Sequence, residues 1–180
     1  MKVRIFPILL ALLAAACGPI TPPSSSVTGK DRPGYVGDQL CQECHFNEYK
    51  QWRQTAHARA FGDLPANKRQ SQECLVCHTT GYTLRGKTSR KLVNVQCEAC
   101  HGPGELYVKS MTRGRTHSEL SRDLNVSLGL ALPTAHTCQP CHGGPCPVAQ
   151  QGPFDYPAAR TMIDHTGYLE ERYPEKFWGK

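Results

Sequence analysis

The chain is short of the material for an ordinary hydrophobic core. Only 39% of its 180 residues are hydrophobic, set against 16 glycines and 14 prolines. A chain of this length is long enough to bury a core, so the deficit implies that something besides side chains fills the interior. A membrane-spanning run is also missing. The longest apolar stretch, Ile5 to Ala16, is too short to cross a bilayer as a helix. Methionine is scarce, with Met111 and Met162 the only ones beyond the first residue. A strong charge of one sign is absent too. The formal charge of +6 falls to +4 once Lys2 and Arg4 are set aside with the leader, leaving 19 basic against 15 acidic side chains. That balance excludes nucleic acid as the expected partner.

What the chain does have is cysteine in a fixed pattern. Eight of its 10 cysteines lie in four copies of Cys-x-x-Cys-His: Cys41, Cys44 and His45; Cys74, Cys77 and His78; Cys97, Cys100 and His101; Cys138, Cys141 and His142. Paired disulfides or zinc knuckles would explain the cysteine pairs. Neither explains a histidine after the second cysteine every time. Covalent haem c does: two thiols add across the vinyl groups of one porphyrin, and the adjacent histidine becomes an axial ligand of the iron. The spacing implies four haems forming the core, wrapped by mostly irregular chain with a minority of α-helix and almost no β-sheet. Their eight propionates, up to about −8 in charge, together with about +4 from four ferric centres, bring the loaded protein near neutrality when oxidised. Motif separations are too uneven for a solenoid repeat.

The first residues fit an export route. Residues 1–16 read as a signal peptide, with Lys2 and Arg4 ahead of the apolar stretch. Ala14-Ala15-Ala16-Cys17 is similar to a lipobox, which would make Cys17 an acylated N-terminus; Leu13 stands one place early for it. Ordinary cleavage after the alanines is the alternative, and would leave a soluble protein. Residues 17–37, rich in Pro, Ser, Thr and Gly, read as a flexible tether. Residues 38–180 are expected to form the tetrahaem domain.

Each motif supplies one axial ligand, and four histidines remain: His57, His117, His136 and His165. With so few methionines, bis-histidine ligation is expected, which lowers the potentials. Residues 39–61 have helical composition. On one continuous helix His57 would sit about 18 Å from His45, so it should serve a different iron. His165 is a candidate clamp from the C-terminal end. His136, two residues before Cys138, would ligate a neighbouring iron and draw two porphyrins together. His117, just after Arg113 and Arg115 in a polar stretch, reads equally as a solvated side chain or one beside a propionate. Cys146 belongs to no motif and is expected to be a free thiol.

These residues resemble the tetrahaem cytochrome c-554 family. The resemblance runs through Cys41-x-x-Cys44-His45, Tyr49, Trp52 and His57-Ala58. It continues in Cys74-x-x-Cys77-His78-Thr79-Thr80-Gly81-Tyr82 and in Val95-Gln96-Cys97-Glu98-Ala99-Cys100-His101-Gly102-Pro103-Gly104. Cys138-x-x-Cys141-His142, Phe154-Asp155-Tyr156 and His165 close it, so that it covers nearly all of residues 38–166. It implies an electron-transfer protein of the periplasmic kind, with haems in parallel stacked and near-perpendicular pairs. It also implies that His57 and His165 are distal ligands, and that one haem can lack a sixth protein ligand. The family's third distal histidine follows His-Gly-Pro-Gly by two residues. Here that place holds Tyr107, so that either His117 or His136 substitutes, Tyr107 itself lies near the iron, or a haem is open that is closed in relatives.

The expected function is the relay of single electrons between redox proteins, in the periplasm or at the cell surface, from a lipid-anchored position on a membrane. Two alternatives stand beside it. An open five-coordinate haem could reduce a small nitrogen oxide or peroxide. Or a histidine such as His117 could ligate a haem of the next chain in a filament.

Overall fold

The computed structural model describes residues 34–82, 86–114, 121–143 and 154–165. The signal sequence, Cys17, most of the tether, His117 and Cys146 lie outside the described residues.

Short helices joined by loops make up the fold: α1 (Asp38–Cys44), α2 (Phe46–Trp52), α3 (Gln72–His78), α4 (Cys97–His101), α5 (Glu105–Thr112), α6 (Arg122–Ser127), α7 (Ala135–His142) and α8 (Tyr156–Ile163). Among the described residues, β pairing is limited to isolated bridges from Thr79 to Val93 and Asn94. The expected loop-and-helix class holds. One helical expectation is corrected. Residues 39–61 do not run as a single helix: the chain turns at His45 (φ −115°, ψ 51°) between α1 and α2, and His57 lies on a separate 3-10 turn, Ala56–Arg59.

Each haem motif occupies a helix, α1, α3, α4 or α7, and the reason is geometric. Residues three apart on a helix share a face, so each cysteine pair points the same way while the following histidine closes the turn. Capping fixes two of the later helices. Thr134 and Thr137 form a reciprocal box at the start of α7, and the Asp155 carboxylate accepts from the Ala158 N–H at the start of α8.

Side chains alone make a small interior. Among the described residues the buried hydrophobic ones are Ala58, Leu64, Leu75, Tyr82 and Leu92. Around them lies an unusually polar framework. Thr80 and Gln96 are buried; Thr80 Oγ1 donates to the Asn94 carbonyl and accepts from the Gln96 N–H, each at 2.9 Å. The Gln96 side-chain amide donates to the carbonyls of Lys91 and Val93, and its oxygen accepts from the Asp38 N–H.

Glu98, 3% exposed, is the main tie. Its carboxylate accepts from the backbone N–H groups of Val36 at 2.9 Å, Gly37 at 2.7 Å and Gly104 at 2.7 Å. The Gly34 N–H donates to the Glu105 carboxylate, and Gly34 accepts in return from the Glu105 N–H. Residues 34–37, the expected end of the tether, are thus bound into the domain. Backbone donors on an anionic acceptor make stronger links than neutral pairs, and here they join segment 34–37, α4 and the start of α5.

Candidate functional site

The four motif helices meet in pairs. Helix α4 packs on α1, and α7 on α3. The Cys41 and Cys97 thiols hydrogen-bond one another; that bond, aided by burial, pushes Cys41 up, while it draws Cys97 down. Cys77 and Cys141 repeat the arrangement, with Cys77 lowered to about 7 by the bond and Cys141 raised by it. Burial pushes Cys100 up to about 11, with Cys138 and Cys97 close enough to add to the effect. Motif one therefore meets motif three, motif two meets motif four, and motif three lies beside motif four. None of the eight motif cysteines pairs in a disulfide.

Histidines from distant parts of the chain face each other across the same region. The rings of His57 and His142 have centroids 5.9 Å apart at 58°. Those of His101 and His165 are also 5.9 Å apart, at 71°. Imidazole nitrogens held about 2 Å from a metal on its opposite sides would place their ring centroids about 6 Å apart. Both pairs match that spacing. Burial lowers the pKa of His57 and of His101, with the facing histidine adding to each. Burial also lowers that of His142. Neutral imidazole is the form that ligates.

Backbone carbonyls orient several of these rings. His101 Nδ1 donates to the Ala131 carbonyl at 3.2 Å, while the His101 carbonyl accepts from the Ala131 N–H at 2.7 Å. His78 Nδ1 donates to the Ala60 carbonyl, and His165 Nδ1 to that of Ile163 at 3.0 Å. An Nδ1–H bonded in this way fixes the tautomer and leaves Nε2 for a metal. His142 is steadied differently, by Phe154 stacked on it at 4.9 Å and 18°. His57 is placed through its backbone: its carbonyl accepts from the Val95 N–H at 3.1 Å, and Trp52 Nε1 donates to the Val95 carbonyl at 2.9 Å.

His45 faces a different residue. Its Nε2 lies 3.4 Å from the Tyr107 hydroxyl, with the rings stacked at 6.3 Å and 29°. Burial raises the Tyr107 pKa, and the nearby Cys44 and Cys41 thiols add to it. The latter contribution belongs to the chain before haem attachment, since thioether sulfur carries no charge. His78 takes part in none of the ring pairings among the described residues. His136 is exposed on the first turn of α7 and faces no other histidine among the described residues. The structure does not bring it to the cluster.

This geometry fits c-type haem. Thiol pairs share helix faces, ring nitrogens are turned inward, and two imidazole pairs stand at axial-ligand spacing. Zinc knuckles fit poorly, because among the described residues no three His, Cys, Asp or Glu side chains converge as a metal site by themselves.

Comparison with known proteins agrees. Residues 40–102 match the family model described as cytochrome c554 and c-prime.

Over these residues the chain is similar to the cytochrome c554 family.

Cytochrome c-554 of Nitrosomonas europaea is 30% identical over 118 residues, an alignment taking in 54% of this chain and 49% of that one. The chain thus spans about half the length of this curated relative. The solved structure of reduced cytochrome c554 from the same organism superposes with a TM-score of 0.52 at 22% identity, covering 81% of this chain and 85% of that one. That likeness is one of fold. Within the cytochrome c554 family the cofactor is four covalently attached haem c groups, one for each motif of this chain.

Proposed function

We propose that this protein is an electron carrier that relays single electrons between redox proteins outside the cytoplasm. The haems supply the reversible one-electron chemistry. The chain's part is to hold axial ligands, exclude water and keep the groups close. In this reading His45, His78, His101 and His142 are proximal ligands, and His57 and His165 are distal ligands for the fourth and third irons.

The observation that carries the reading is the pair of crossed histidine contacts. A ligand from between motifs one and two reaches motif four, and one from the C-terminal end reaches motif three. Ligation from both sides leaves no open position for substrate and little geometric change on reduction, which suits a carrier. The packing of α4 on α1 and of α7 on α3 further supports closely spaced haem pairs. Among the described residues no helix is long and apolar enough to cross a membrane. Attachment through an acylated Cys17 would keep the carrier at a membrane surface, with the tether giving it reach. Stopped-flow reduction by a one-electron donor tests the function: all four haems should be reduced and then reoxidised by a one-electron acceptor. Haems that stay oxidised would contradict it.

His78 supports a second reading. Its ring is oriented by the Ala60 carbonyl, yet no other described ring faces it. An iron there with one open side could bind and reduce a small nitrogen oxide or peroxide. Nitric oxide added to the reduced holoprotein tests this, since uptake by one haem favours it and no uptake eliminates it.

A further inference from the structure

Tyr107 stands where two histidines stand in the other pairings, opposite a motif histidine. This inference rests on the reading of the motifs as haem ligands and goes beyond it. We propose that Tyr107 supplies the sixth ligand, through its phenolate oxygen, to the iron of the haem carried by Cys41, Cys44 and His45.

Distance decides between ligand and bystander. Two donors on opposite sides of a metal, each about 2 Å from it, stand about 4 Å apart. His45 Nε2 and the Tyr107 oxygen are 3.4 Å apart, close to that value. A small molecule held on the iron and hydrogen-bonded to the phenol would add a further contact of about 2.7 Å. The space between the two side chains is too narrow for that. The two histidine pairs already sit at the separation a metal requires, so the geometry of the region is set for inserted iron, and Tyr107 is set with it.

The positioning of Tyr107 is built into the fold. Glu98 holds residues 36 and 37 immediately before α1, which carries Cys41 and Cys44, and it also holds Gly104 immediately before α5, which carries Tyr107. Gly34 is bonded to Glu105 in both directions. The Lys109–Glu105 ion pair adds an exposed link on the same helix. One carboxylate thereby fixes both sides of the first haem's axial pair.

Ligation breaks the phenol O–H bond, releases the proton to solvent and forms an oxygen–iron bond; no electron is transferred in that step. An anionic oxygen favours the ferric state more than imidazole does, and axial-ligand identity is a main control on haem potential. The first haem is therefore the hardest of the six-coordinate haems to reduce.

The test compares oxidised wild-type holoprotein with Tyr107→Phe and Tyr107→His by resonance Raman, electron paramagnetic resonance and redox titration. The wild type should show phenolate vibrations enhanced through an iron charge-transfer band, and Tyr107→Phe should lose them. Tyr107→His should gain one low-spin iron per chain and be reduced at a higher potential at that haem. Absence of phenolate bands from the wild type, or a Tyr107→Phe spectrum identical to it, would overturn the proposal. The same samples are assayed for haem content and complete reduction. Four reducible haems with no phenolate bands sink the Tyr107 assignment alone, whereas a wild type lacking the first haem sinks the carrier reading with it.

Discussion

At the residue scale, the histidines divide by what faces them. The sequence marked His57 as a candidate ligand for an iron other than that of His45, although the continuous helix behind that expectation is broken at His45. The partner of His57 was not legible. That pairing depends on the Val95 contacts with His57 and Trp52, which are local in space and remote in sequence. His57→Ala should convert one low-spin ferric iron to high-spin, and His165→Ala should do the same to a different iron. The double variant should lose both low-spin signals, because the two pairs share no ring. Electron paramagnetic resonance of oxidised holoprotein reads this directly, and two single variants that abolish the same signal would contradict the assignment. Tyr107 shows the opposite balance: the sequence marked the departure from the family pattern, while its place opposite His45 came only with the fold.

At the scale of elements, the four motif helices were readable from spacing, since cysteines three apart demand a helical turn. The break at His45 and the grip on residues 34–37 were not. The grip follows from Glu98, a charged residue inside a motif, where composition gives no sign of burial. Glu98→Ala should cost about 2–4 kcal/mol by leaving three backbone donors without their anionic acceptor, and Glu98→Gln about 1–2 kcal/mol. Urea denaturation of the holoprotein measures both, and an unchanged midpoint for Glu98→Ala would dismiss the clamp. Gly102 is a second critical point. It has φ of +84°, and an added Cβ would lie 2.5 Å from the Gly129 carbonyl oxygen. Because Ala131, two residues further on, holds His101, Gly102→Ala should destabilise the protein by about 1–3 kcal/mol. It should also broaden the spectrum of the third haem, whereas a variant with native stability and spectrum would count against the packing described.

For the whole molecule, the shortage of hydrophobic side chains and the repeated motif were two signs of one fact: the cofactor supplies the interior. Five buried hydrophobic residues among those described cannot offset the conformational entropy of ordering such a chain. Replacing all eight motif cysteines with alanine should give a chain without cooperative thermal unfolding and with rapid amide exchange throughout. A cooperative melt without haem would show that the polypeptide has a sufficient core of its own. The proposed membrane attachment is tested separately: Cys17→Ala should move the protein from the membrane fraction to the soluble one, and retention on the membrane would rule out acylation as its anchor.

The central claim is that crossed histidine pairs give this chain at least two six-coordinate, low-spin haems suited to electron relay. Low-temperature electron paramagnetic resonance of the oxidised holoprotein, followed through a redox titration, tests it most directly. The account predicts two low-spin bis-histidine ferric signals that vanish reversibly at low potentials, one sensitive to His57→Ala and the other to His165→Ala. A spectrum made up only of high-spin irons would contradict it.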